Sequence, residues 1–443
     1  MGGSYRALAD LAANPDYGGM NSQDFRAIAP YIHAHRGKRV VIMLPGEAIG
    51  AADSLIADVA LLHALGLNIV LVHGYRPQLD ALMAEHGLQP DFHQQRRITP
   101  AQAQPQVLAA AGATRLTLEA ALSQGLPNTP MAHAKIRVVS GNFVQARPLG
   151  VIDGVDMQHT GTVRAIDRDA IERHLAARDL VLVSCLGHSA TGELFNLRLH
   201  EVAQKMAIRL QADKLIVLGK HWPVEFQGEL LREIAAGDLL GQLPDRDGAH
   251  EILGLAADTC QAGVERVHLL NWRQDGVLLD ELLTRDGVGS LIYRTAYERL
   301  RQANAGDIGN LVDLLKPMEQ AGFLVKRERE RLETEVDNFY VVERDGSLIG
   351  CAALYPLDDE HAEIACVAVH PDYQGGELGD NLLAKLEREA ARRGIQQVWV
   401  LTTVAEHWFQ EQGFRPAQVS DLPDSRQALY NYQRASKVLT KPL

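Results

Sequence analysis

The residues from Glu363 to Gly394 combine an apolar strand, a glycine-bearing loop and the start of a helix. Glycines at positions 375, 376 and 379 let the backbone approach a ligand closely, because they carry no β-carbon. The first N–H groups of a helix have no partner inside the helix and coincide with the positive end of its dipole. Such a loop can hold a pyrophosphate, although an ordinary glycine turn before a helix has the same appearance.

The elements that must position this loop belong to a unit that begins after residues 294–306, a polar stretch where the character of the chain changes. About 140 residues follow, which is enough for an independent domain. The apolar patterns predict helices over residues 308–320, 328–336, 378–393 and 406–412, and strands over residues 339–344, 347–355, 362–369 and 397–403.

This segment resembles the GNAT acetyltransferases, whose loop signature is Gln or Arg, two residues, Gly, any residue, then Gly or Ala. Gln374 and Gly379 match its first and last positions. Glu377 stands where the signature has glycine, and a carboxylate in a pyrophosphate loop is unfavourable unless it faces solvent. The resemblance implies an α/β GNAT domain that binds acetyl-coenzyme A, without a metal, through Cys366, Val367, Ala368, Val369, Gln374, Gly375, Gly376, Glu377, Gly379 and Asp380.

Acetyl transfer to an amine needs a general base, a hydrogen-bond donor for the thioester oxygen and a proton for the leaving thiolate. Within the resemblance, Glu363 is placed to be the base and Thr402, on the next strand, to protonate the thiolate. Cys366 is expected to contribute its backbone rather than thiol chemistry. Taken without the resemblance, Glu363 is equally a solvated strand-end carboxylate, and Thr402 is more often an ordinary β-branched strand residue.

The first part of the chain alternates short apolar strands, such as residues 40–44 and 68–72, with amphipathic helices. Continuous apolar strands separated by helices predict a parallel, doubly wound α/β sheet. Residues 136–139 and 143–146, which flank Gly141-Asn142, predict a β-hairpin.

The N-terminal region predicts a flexible leader over residues 1–20, followed by a helix that begins near Ser22 or Asp24, carries Pro30 and ends at Gly37. Its apolar face must be covered by something, which favours a homo-oligomer; that face is Phe25, Ile28, Ala29 and Ile32.

The composition excludes several classes of protein. A net charge of −12 argues against nucleic-acid and anionic-membrane partners. No apolar run approaches the length of a membrane span, and the N-terminus lacks the pattern of a signal peptide. The four cysteines have no CxxC spacing, so they indicate reduced thiols in a cytoplasmic protein rather than a disulfide framework or a metal site.

From about residue 22 to residue 440 the chain resembles bacterial N-acetylglutamate synthases, through collinear segments that include HGYRPQLD, PLGVIDGVD, DGVLLDELLTRDGVGS and YNYQRASKVL. The resemblance implies acetylation of the amino group of L-glutamate, the first step of arginine biosynthesis, in a homohexamer. It also implies that Arg327, Arg434 and Ser436 hold the two carboxylates of glutamate, with Cys366 beside them. A guanidinium suits a carboxylate because its N–H groups match the two oxygens.

Residues 21–293 resemble the amino acid kinase fold, which leaves residues 294–443 as the GNAT domain. Such kinases hold the transferred phosphate with a lysine and paired glycines, where this chain has Met43-Leu44-Pro45-Gly46. The second glycine-rich turn reads His73-Gly74-Tyr75-Arg76-Pro77, and His200 stands at the position of the catalytic aspartate. Phosphoryl transfer depends on positioned cations and glycine backbone, so these changes predict a domain without kinase chemistry.

Arginine-sensitive members of this superfamily bind L-arginine between the N-terminal helix and the kinase-like core. Tyr31, His268 and Glu281 match positions used there, and Glu281 offers a carboxylate to the guanidinium of the effector. The resemblance therefore implies a regulatory L-arginine site. Without the resemblance, Tyr31 is equally explained as a packed tyrosine of the helix, and His268 as a histidine of the core.

Three hypotheses follow from the sequence. The first is a glutamate acetyltransferase that L-arginine inhibits. The second is an arginine sensor with weak or no catalysis, in which Glu377 has spoiled coenzyme binding. The third is a bifunctional synthase and kinase, which is opposed by Met43, Pro45, Tyr75, Arg76 and His200.

Overall fold

A computed structural model describes residues 22–50, 53–126, 129–223, 225–226, 229–243, 248–284, 287–294, 298–344, 347–375 and 378–443 of the chain. The chain divides into two compact units, with the boundary between residues 295 and 296. The resemblance to the amino acid kinase fold predicts this boundary after residue 293. The expected leader, residues 1–20, lies outside the described residues.

The first unit is built on an eight-stranded sheet whose neighbours are parallel except for the antiparallel pair Arg266–Asn271 and Ser290–Tyr293. Alternate residues of its strands enter two separate cores: Val41 and Met43 lie in one, and Val40 and Ile42 in the other. Because both faces are covered, the strands read as continuous apolar runs, and the predicted doubly wound sheet is confirmed. In spatial order the strands are Glu233–Ala235, Ser290–Tyr293, Arg266–Asn271, Lys214–Gly219, Arg39–Leu44, Asn68–His73, Leu180–Ser184 and Val138–Val139.

The helices of the first unit cover these two faces. Their described spans are Ser22–His35, Asp53–Ala64, Arg76–Glu85, Gln104–Ser123, Arg168–Ala176, Leu199–Leu210, Ala236–Gln242, Gly248–Gln261 and Val277–Leu283.

The first unit also has a smaller four-stranded sheet. The predicted β-hairpin over residues 136–146 is wrong, because its two strands belong to different sheets. Val138–Val139 joins the edge of the large sheet, parallel to Leu180–Ser184, whereas Val144–Pro148 pairs with Gly161–Ile166 in the smaller sheet. The turn at Gly141-Asn142 carries the chain from one sheet to the other, so tertiary pairing overrode the local turn signal. The smaller sheet has the order Leu194–Asn196, Leu186–His188, Val144–Pro148 and Gly161–Ile166.

Three two-stranded ribbons complete the strands described for the first unit. They are Asp91–His93 with Arg96–Ile98, Val151–Ile152 with Val155–Asp156, and Glu225–Phe226 with Glu229–Leu230.

The N-terminal helix spans Ser22–His35 with Pro30 inside it, and it packs against the helix Val277–Leu283. Its Phe25 side chain is 56% exposed. The packing places Tyr31 and Glu281 on two helices that touch each other.

The second unit is a seven-stranded sheet in which only His361–Val369 and Gln397–Thr402 run parallel. The predicted helices and strands of the GNAT domain form within one or two residues of their expected bounds. In spatial order the strands are Glu298–Gln302, Phe339–Arg344, Ser347–Pro356, His361–Val369, Gln397–Thr402, Lys437–Pro442 and Arg415–Ala417, and the helices along the chain are Ile308–Gln320, Arg329–Glu335, Leu378–Arg392, Glu406–Glu411 and Asp424–Gln427.

The helix Leu378–Arg392 follows the glycine-bearing loop and fixes where that loop lies. Its leucines at 378, 382, 383 and 386 are buried against the sheet, at the spacing of one helix face. Gly350 lets the helix approach the strand Ser347–Pro356, because a β-carbon there would lie 2.6 Å from a methyl group of Leu378. The helix is therefore held against the middle of the sheet.

The polar stretch near residues 294–306 is not merely a linker, because Glu298–Gln302 forms the edge strand beside Phe339–Arg344. Arg301 on this strand bonds to both carboxylate oxygens of Asp307 at 2.7 Å and to Glu343. The sequence does not reveal this strand, because its residues are charged and the strand with which it pairs lies about 40 residues away.

None of the helices in the described ranges is both long and apolar enough to cross a lipid bilayer.

Replacing Leu382 by Ala is expected to lower the free energy of unfolding of the second unit by about 2–5 kcal/mol, because the Leu382 side chain is fully buried between its helix and the sheet. Hydrogen exchange in the strands of the second unit measures this unit by itself. The matched control Leu429→Ala removes a side chain that is 74% exposed, so its effect should stay within about 0.5 kcal/mol. Equal effects of the two variants would contradict this account of the core.

Candidate active site

The central feature of the second unit is the place where two parallel strands separate. Residues 361–363 pair with residues 397–399, and Glu363 opposite Trp399 is the last pair. Beyond it, residues 364–369, named here the splayed edge, have no described strand as partner on the side toward Gln397–Thr402. The backbone groups on that side are therefore available to an extended ligand, in the way that a sheet edge accepts an added strand.

A β-bulge shapes the splayed edge. Cys366 and Val367 lie opposite the single residue Ala352, and Cys366 has a φ of 53°. A bulge turns the strand and re-aims the backbone groups on either side of it. Four of the residues predicted to bind the coenzyme, Cys366, Val367, Ala368 and Val369, form this part of the splayed edge.

The glycine-bearing loop follows the splayed edge. The Gln374 side chain donates a hydrogen bond to the carbonyl of Val369 at 3.0 Å, and Gly375 has a φ of 88°, which favours glycine. The hydrogen bond ties the start of the loop, up to Gly375, to the end of the strand. Gly376 and Glu377, both predicted to bind the coenzyme, lie outside the described residues.

Two more predicted coenzyme residues lie in the first turn of this helix. A β-carbon at Gly379 would lie 3.2 Å from the ring of Trp408, so the glycine allows the two helices to approach. The Asp380 carboxylate accepts hydrogen bonds from Trp408 at 3.2 Å and Gln412 at 3.1 Å. The side chain of Asp380 thus anchors the helix Glu406–Glu411, which leaves the backbone as its route to a ligand.

Thr402 ends the strand on the other side of the opening. Its hydroxyl oxygen accepts hydrogen bonds from the backbone N–H groups of Val404 at 3.3 Å and Ala405 at 2.9 Å. A hydroxyl has one proton to donate beside its acceptor lone pairs. Because both of these contacts use the lone pairs, the proton stays available to a ligand in the opening.

Glu363 stands at the fork between the two strands, and a single guanidinium holds its carboxylate. Arg426 Nε donates to Oε2 at 2.5 Å, and Arg426 Nη2 donates to Oε1 at 3.1 Å. The side chains of Glu363 and Arg426 are only 12% and 19% exposed. The predicted base is therefore a partly buried member of a two-bond ion pair.

Arg426 belongs to the segment between the last two strands, residues 418–436, named here the acceptor segment. It is anchored on the sheet because Leu422 and Tyr430 pack against Trp399. The Tyr430 hydroxyl also donates to the carbonyl of Ser436 at 2.7 Å. The acceptor segment carries the predicted acceptor residues Arg434 and Ser436, as well as Arg426, which contacts Glu363 at the fork.

Arg434 reaches from the acceptor segment to the loop between the first two helices of the unit. Its Nη2 donates to the carbonyl of Phe323 at 2.6 Å. Arg327, on the same loop, donates to the carbonyl of Val325 at 3.3 Å. The fold thus brings two arginines that are 107 positions apart to one loop.

The surroundings of Arg327 connect this loop to the splayed edge. Its Nε is buried and has no hydrogen-bond partner among the described residues, although Tyr355 lies within hydrogen-bonding reach of the guanidinium. Burial raises the pKa of the neighbouring Cys366 thiol to about 12, against the opposing effect of Arg327. The thiol is therefore protonated at neutral pH, and Arg327 keeps a donor for an incoming anion.

In the first unit, the ends of the parallel strands meet at a cavity of about 740 Å³. Tyr75, one of its lining residues, is 4% exposed, and its single hydroxyl proton has two acceptors within reach, the carbonyl of Cys185 at 3.0 Å and Oδ1 of Asn196 at 2.9 Å. Burial lowers the pKa of His200 to about 4, so this side chain is neutral at pH 7. The residues that oppose kinase chemistry, Met43, Pro45, Tyr75, Arg76 and His200, all line this cavity.

The expected effector residues His268 and Glu281 contact each other. His268 Nδ1 lies 2.5 Å from Glu281 Oε1, and Lys214 Nζ lies 3.3 Å from His268 Nε2. Because an ammonium can only donate, Nε2 accepts and Nδ1–H donates to Glu281. The backbone N–H groups of Val288 and Gly289 donate to the other Glu281 oxygen.

Burial favours the protonated form of Glu281, but the hydrogen bond from His268 and the two backbone donors outweigh it and lower the pKa to about 2. Burial, followed by the charge of Lys214, lowers the pKa of His268. The pair is therefore a carboxylate and a neutral imidazole, each about 95% buried. Tyr31, the third expected residue, lies on the N-terminal helix that packs against the helix of Glu281.

Sequence reasoning missed two residues of the site. Arg426 holds the predicted base, and Tyr355 lies between Arg327 and Glu335, to which its hydroxyl donates at 2.7 Å. No local pattern marks Arg426, because its segment reads as a polar loop. Tyr355 sits opposite Glu363 in the strand register, a position that could be inferred only from the pairing of the two strands.

Comparison with known proteins identifies both parts of the chain. The amino acid kinase family model matches residues 38–271, and the acetyltransferase (GNAT) family model matches residues 308–414. An amino-acid acetyltransferase of Azotobacter vinelandii is 49% identical over 94% of this chain and 98% of its own length. Its counterpart in Ectopseudomonas mendocina is 47% identical over the same shares.

Among solved structures, N-acetylglutamate synthase from Neisseria gonorrhoeae complexed with coenzyme A and L-arginine is 36% identical, with a TM-score of 0.87. A complex of that enzyme with coenzyme A and N-acetyl-glutamate is 37% identical, with a TM-score of 0.59. Both matches cover 95% of this chain and 98% of the other. The chain therefore belongs to the amino-acid acetyltransferase family, the N-acetylglutamate synthases that join an amino acid kinase domain to a GNAT domain.

Proposed function

We propose that this chain transfers the acetyl group of acetyl-coenzyme A to the amino group of L-glutamate, and that L-arginine inhibits the reaction. The observation that carries the proposal is a strand fork with a carboxylate base and an unpaired backbone edge, beside which two arginines from distant segments meet on one loop. The Neisseria gonorrhoeae relative has been solved with coenzyme A, N-acetyl-glutamate and L-arginine, which supports the proposed cosubstrate, product and effector.

The coenzyme enters between the separated strands. The splayed edge offers backbone N–H groups to the pantetheine arm and to the thioester oxygen, where negative charge develops. The loop from Gln374 to Gly379 and the N-terminus of the helix Leu378–Arg392 receive the pyrophosphate. The bulge at Cys366 re-aims the backbone at the point where the acetyl group meets the acceptor.

The acceptor is held by charge. Arg327 has a buried Nε that no described side chain uses, which suits a carboxylate. Arg434 and the hydroxyl of Ser436 supply donors for the second carboxylate. Glu363 then accepts a proton from the amine as the nitrogen attacks the thioester carbon, and Thr402 donates a proton to the departing thiolate of coenzyme A.

Regulation is assigned to the first unit. L-Arginine presents a guanidinium to Glu281, which the structure holds ionised, and contacts His268 and Tyr31 on the adjoining elements. Inhibition requires that the effector bind two states of the protein with different affinity. A second, kinase-like activity is opposed by Tyr75, which lines this cavity where such kinases have a phosphate-binding glycine turn.

Assembly and location complete the proposal. The exposed Phe25 on the N-terminal helix suits burial against a second copy of the chain, and a homohexamer in the cytoplasm is the assembly proposed. The test of the whole proposal is a steady-state assay with acetyl-coenzyme A and L-glutamate, with and without L-arginine. Absence of coenzyme release with glutamate would overturn it.

Glu363→Gln is expected to lower kcat by about 10²–10⁴-fold at neutral pH, because the amine loses its proton acceptor. The deficit should shrink at high pH, where the amine deprotonates unaided. Steady-state rates across the pH range measure both effects. The control Glu360→Gln changes an exposed carboxylate three positions away and should behave as the wild type. A near-normal kcat for Glu363→Gln at neutral pH would remove this role.

Arg434→Ala is expected to raise KM for glutamate by about tenfold or more, the worth of a charged hydrogen bond, while coenzyme affinity stays nearly unchanged. Steady-state kinetics and calorimetric titration with coenzyme A separate the two quantities. Arg388→Ala is the control, because this arginine is exposed on the helix Leu378–Arg392. An unchanged glutamate KM would show that the acceptor binds elsewhere.

Glu281→Gln is expected to leave the acetyltransferase rate without effector nearly unchanged and to abolish inhibition by L-arginine. Glutamine keeps an acceptor for Val288 and Gly289 but removes the negative charge that the guanidinium requires. The measurement is the inhibition curve, with Asp275→Asn as a control at an exposed carboxylate just before the same helix. Inhibition of Glu281→Gln at the wild-type arginine concentration would place the effector at another site.

A further inference from the structure

The ion pair between Glu363 and Arg426 occupies both oxygens of the proposed base. Both carboxylate oxygens accept hydrogen bonds from one guanidinium, at 2.5 and 3.1 Å. A cation in contact with a carboxylate opposes the arrival of a second positive charge, and a protonated amine is such a charge. The low exposure of both side chains, 12% and 19%, limits screening by water.

Removing Arg426 from Glu363 without replacement would be costly. Glu363 is the only carboxylate within salt-bridge distance of Arg426 among the described residues. A half-buried guanidinium left without an anion loses its charged hydrogen bonds and does not fully recover hydration. The pair therefore opens only when something else supplies a carboxylate to Arg426.

We propose that Arg426 is a specificity-determining residue, which frees the base only for an acceptor that brings its own carboxylate. An amino acid carries an ammonium and a carboxylate. On binding, its carboxylate forms an ion pair with the guanidinium of Arg426, and its ammonium forms an ion pair with Glu363. Two ion pairs replace one, and neither Arg426 nor Glu363 is left without a partner.

Chain geometry assigns the α-carboxylate to this exchange. The acceptor nitrogen must reach Glu363, and the Arg426 guanidinium already contacts that side chain. The α-carboxylate is attached to the carbon that bears the nitrogen, whereas the γ-carboxylate of glutamate is two carbons farther away. Arg434, which lies eight positions further along the acceptor segment and points to the loop at Phe323, is left for the γ-carboxylate.

Because Glu363 becomes available only after Arg426 has paired with the acceptor's carboxylate, binding of the correct acceptor raises the rate of the reaction. An amine without an α-carboxylate still meets the splayed edge and the coenzyme, but its base stays occupied by Arg426. Discrimination of this kind works against the wrong acceptor as well as for the right one. It appears in kcat/KM, because the transition state is the species that needs a free base.

This inference rests on the proposed acetylation of L-glutamate, and its test uses the full-length protein and three acceptors. L-Glutamate carries both carboxylates, L-isoglutamine lacks the α-carboxylate, and L-glutamine lacks the γ-carboxylate. The kcat/KM values of wild type, Arg426→Gln, Arg426→Lys and the control Arg415→Gln are compared. Arg415 is exposed on a strand beside the acceptor segment and has no ion pair in the described residues.

Wild type should prefer glutamate over isoglutamine, and Arg426→Gln should reduce that preference by about tenfold to a hundredfold, the worth of a hydrogen bond between charged groups. The reduction should arise from slower glutamate turnover together with equal or faster isoglutamine turnover. The preference for glutamate over glutamine should stay within about threefold. Arg426→Lys, which keeps the charge, should restore part of the preference, and Arg415→Gln should resemble the wild type.

Two outcomes would overturn the inference. One is an unchanged preference of Arg426→Gln for glutamate over isoglutamine. The other is an equal fall with all three acceptors, which marks a merely structural role. Calorimetric titration with coenzyme A and hydrogen exchange check that each variant is folded. If Arg426→Gln is not folded, the comparison is made with Arg426→Lys instead. Failure of the wild type to acetylate glutamate overturns the proposed function instead, so the two failures are distinct.

Discussion

The active unit depends on one constraint, the point where two parallel strands stop pairing. Hydrogen bonding between His361–Val369 and Gln397–Thr402 ends at Glu363 and Trp399, so everything beyond that pair faces an open edge. Backbone groups left without a ladder partner must find another one, and the proposed partner is the coenzyme. The β-bulge at Cys366 follows from the same departure, because the strand turns away from its neighbour where the two would otherwise meet.

Near this fork the structure gives two arginines of one segment internal hydrogen-bond partners. The acceptor segment packs on Trp399 through Leu422 and Tyr430, and from there it sends Arg426 to Glu363 and Arg434 to the loop at Phe323. A single element thus reaches both the base and the acceptor site. Since each guanidinium already has an internal partner, binding of a dicarboxylate exchanges contacts rather than creating them from water, which favours specificity over raw affinity.

The first unit shows a fold that has kept its architecture while its cleft changed. Tyr75 fills space at the ends of the parallel strands, and its hydroxyl is satisfied by Cys185 and Asn196. Burial keeps His200 neutral, so that residue supplies neither a metal-binding carboxylate nor a cation. A separate buried group, the Glu281 carboxylate with His268 and Lys214, lies on the side that meets the N-terminal helix. Its charge is held by backbone and imidazole donors, which is what a carboxylate needs to stay ionised in a core.

The sequence by itself determined the elements. Apolar runs such as residues 40–44 and the leucine face after residue 378 have periodicities that do not depend on distant partners, and the motif segments carried the family and its chemistry. Only the tertiary structure decided the pairings. The strands expected to form a hairpin joined different sheets, the polar stretch near residue 300 became an edge strand, and Arg426 reached Glu363 across 63 positions. Local sequence encodes which face of an element is apolar, but contact between remote charges depends on how loops close, and no spacing in the sequence records it.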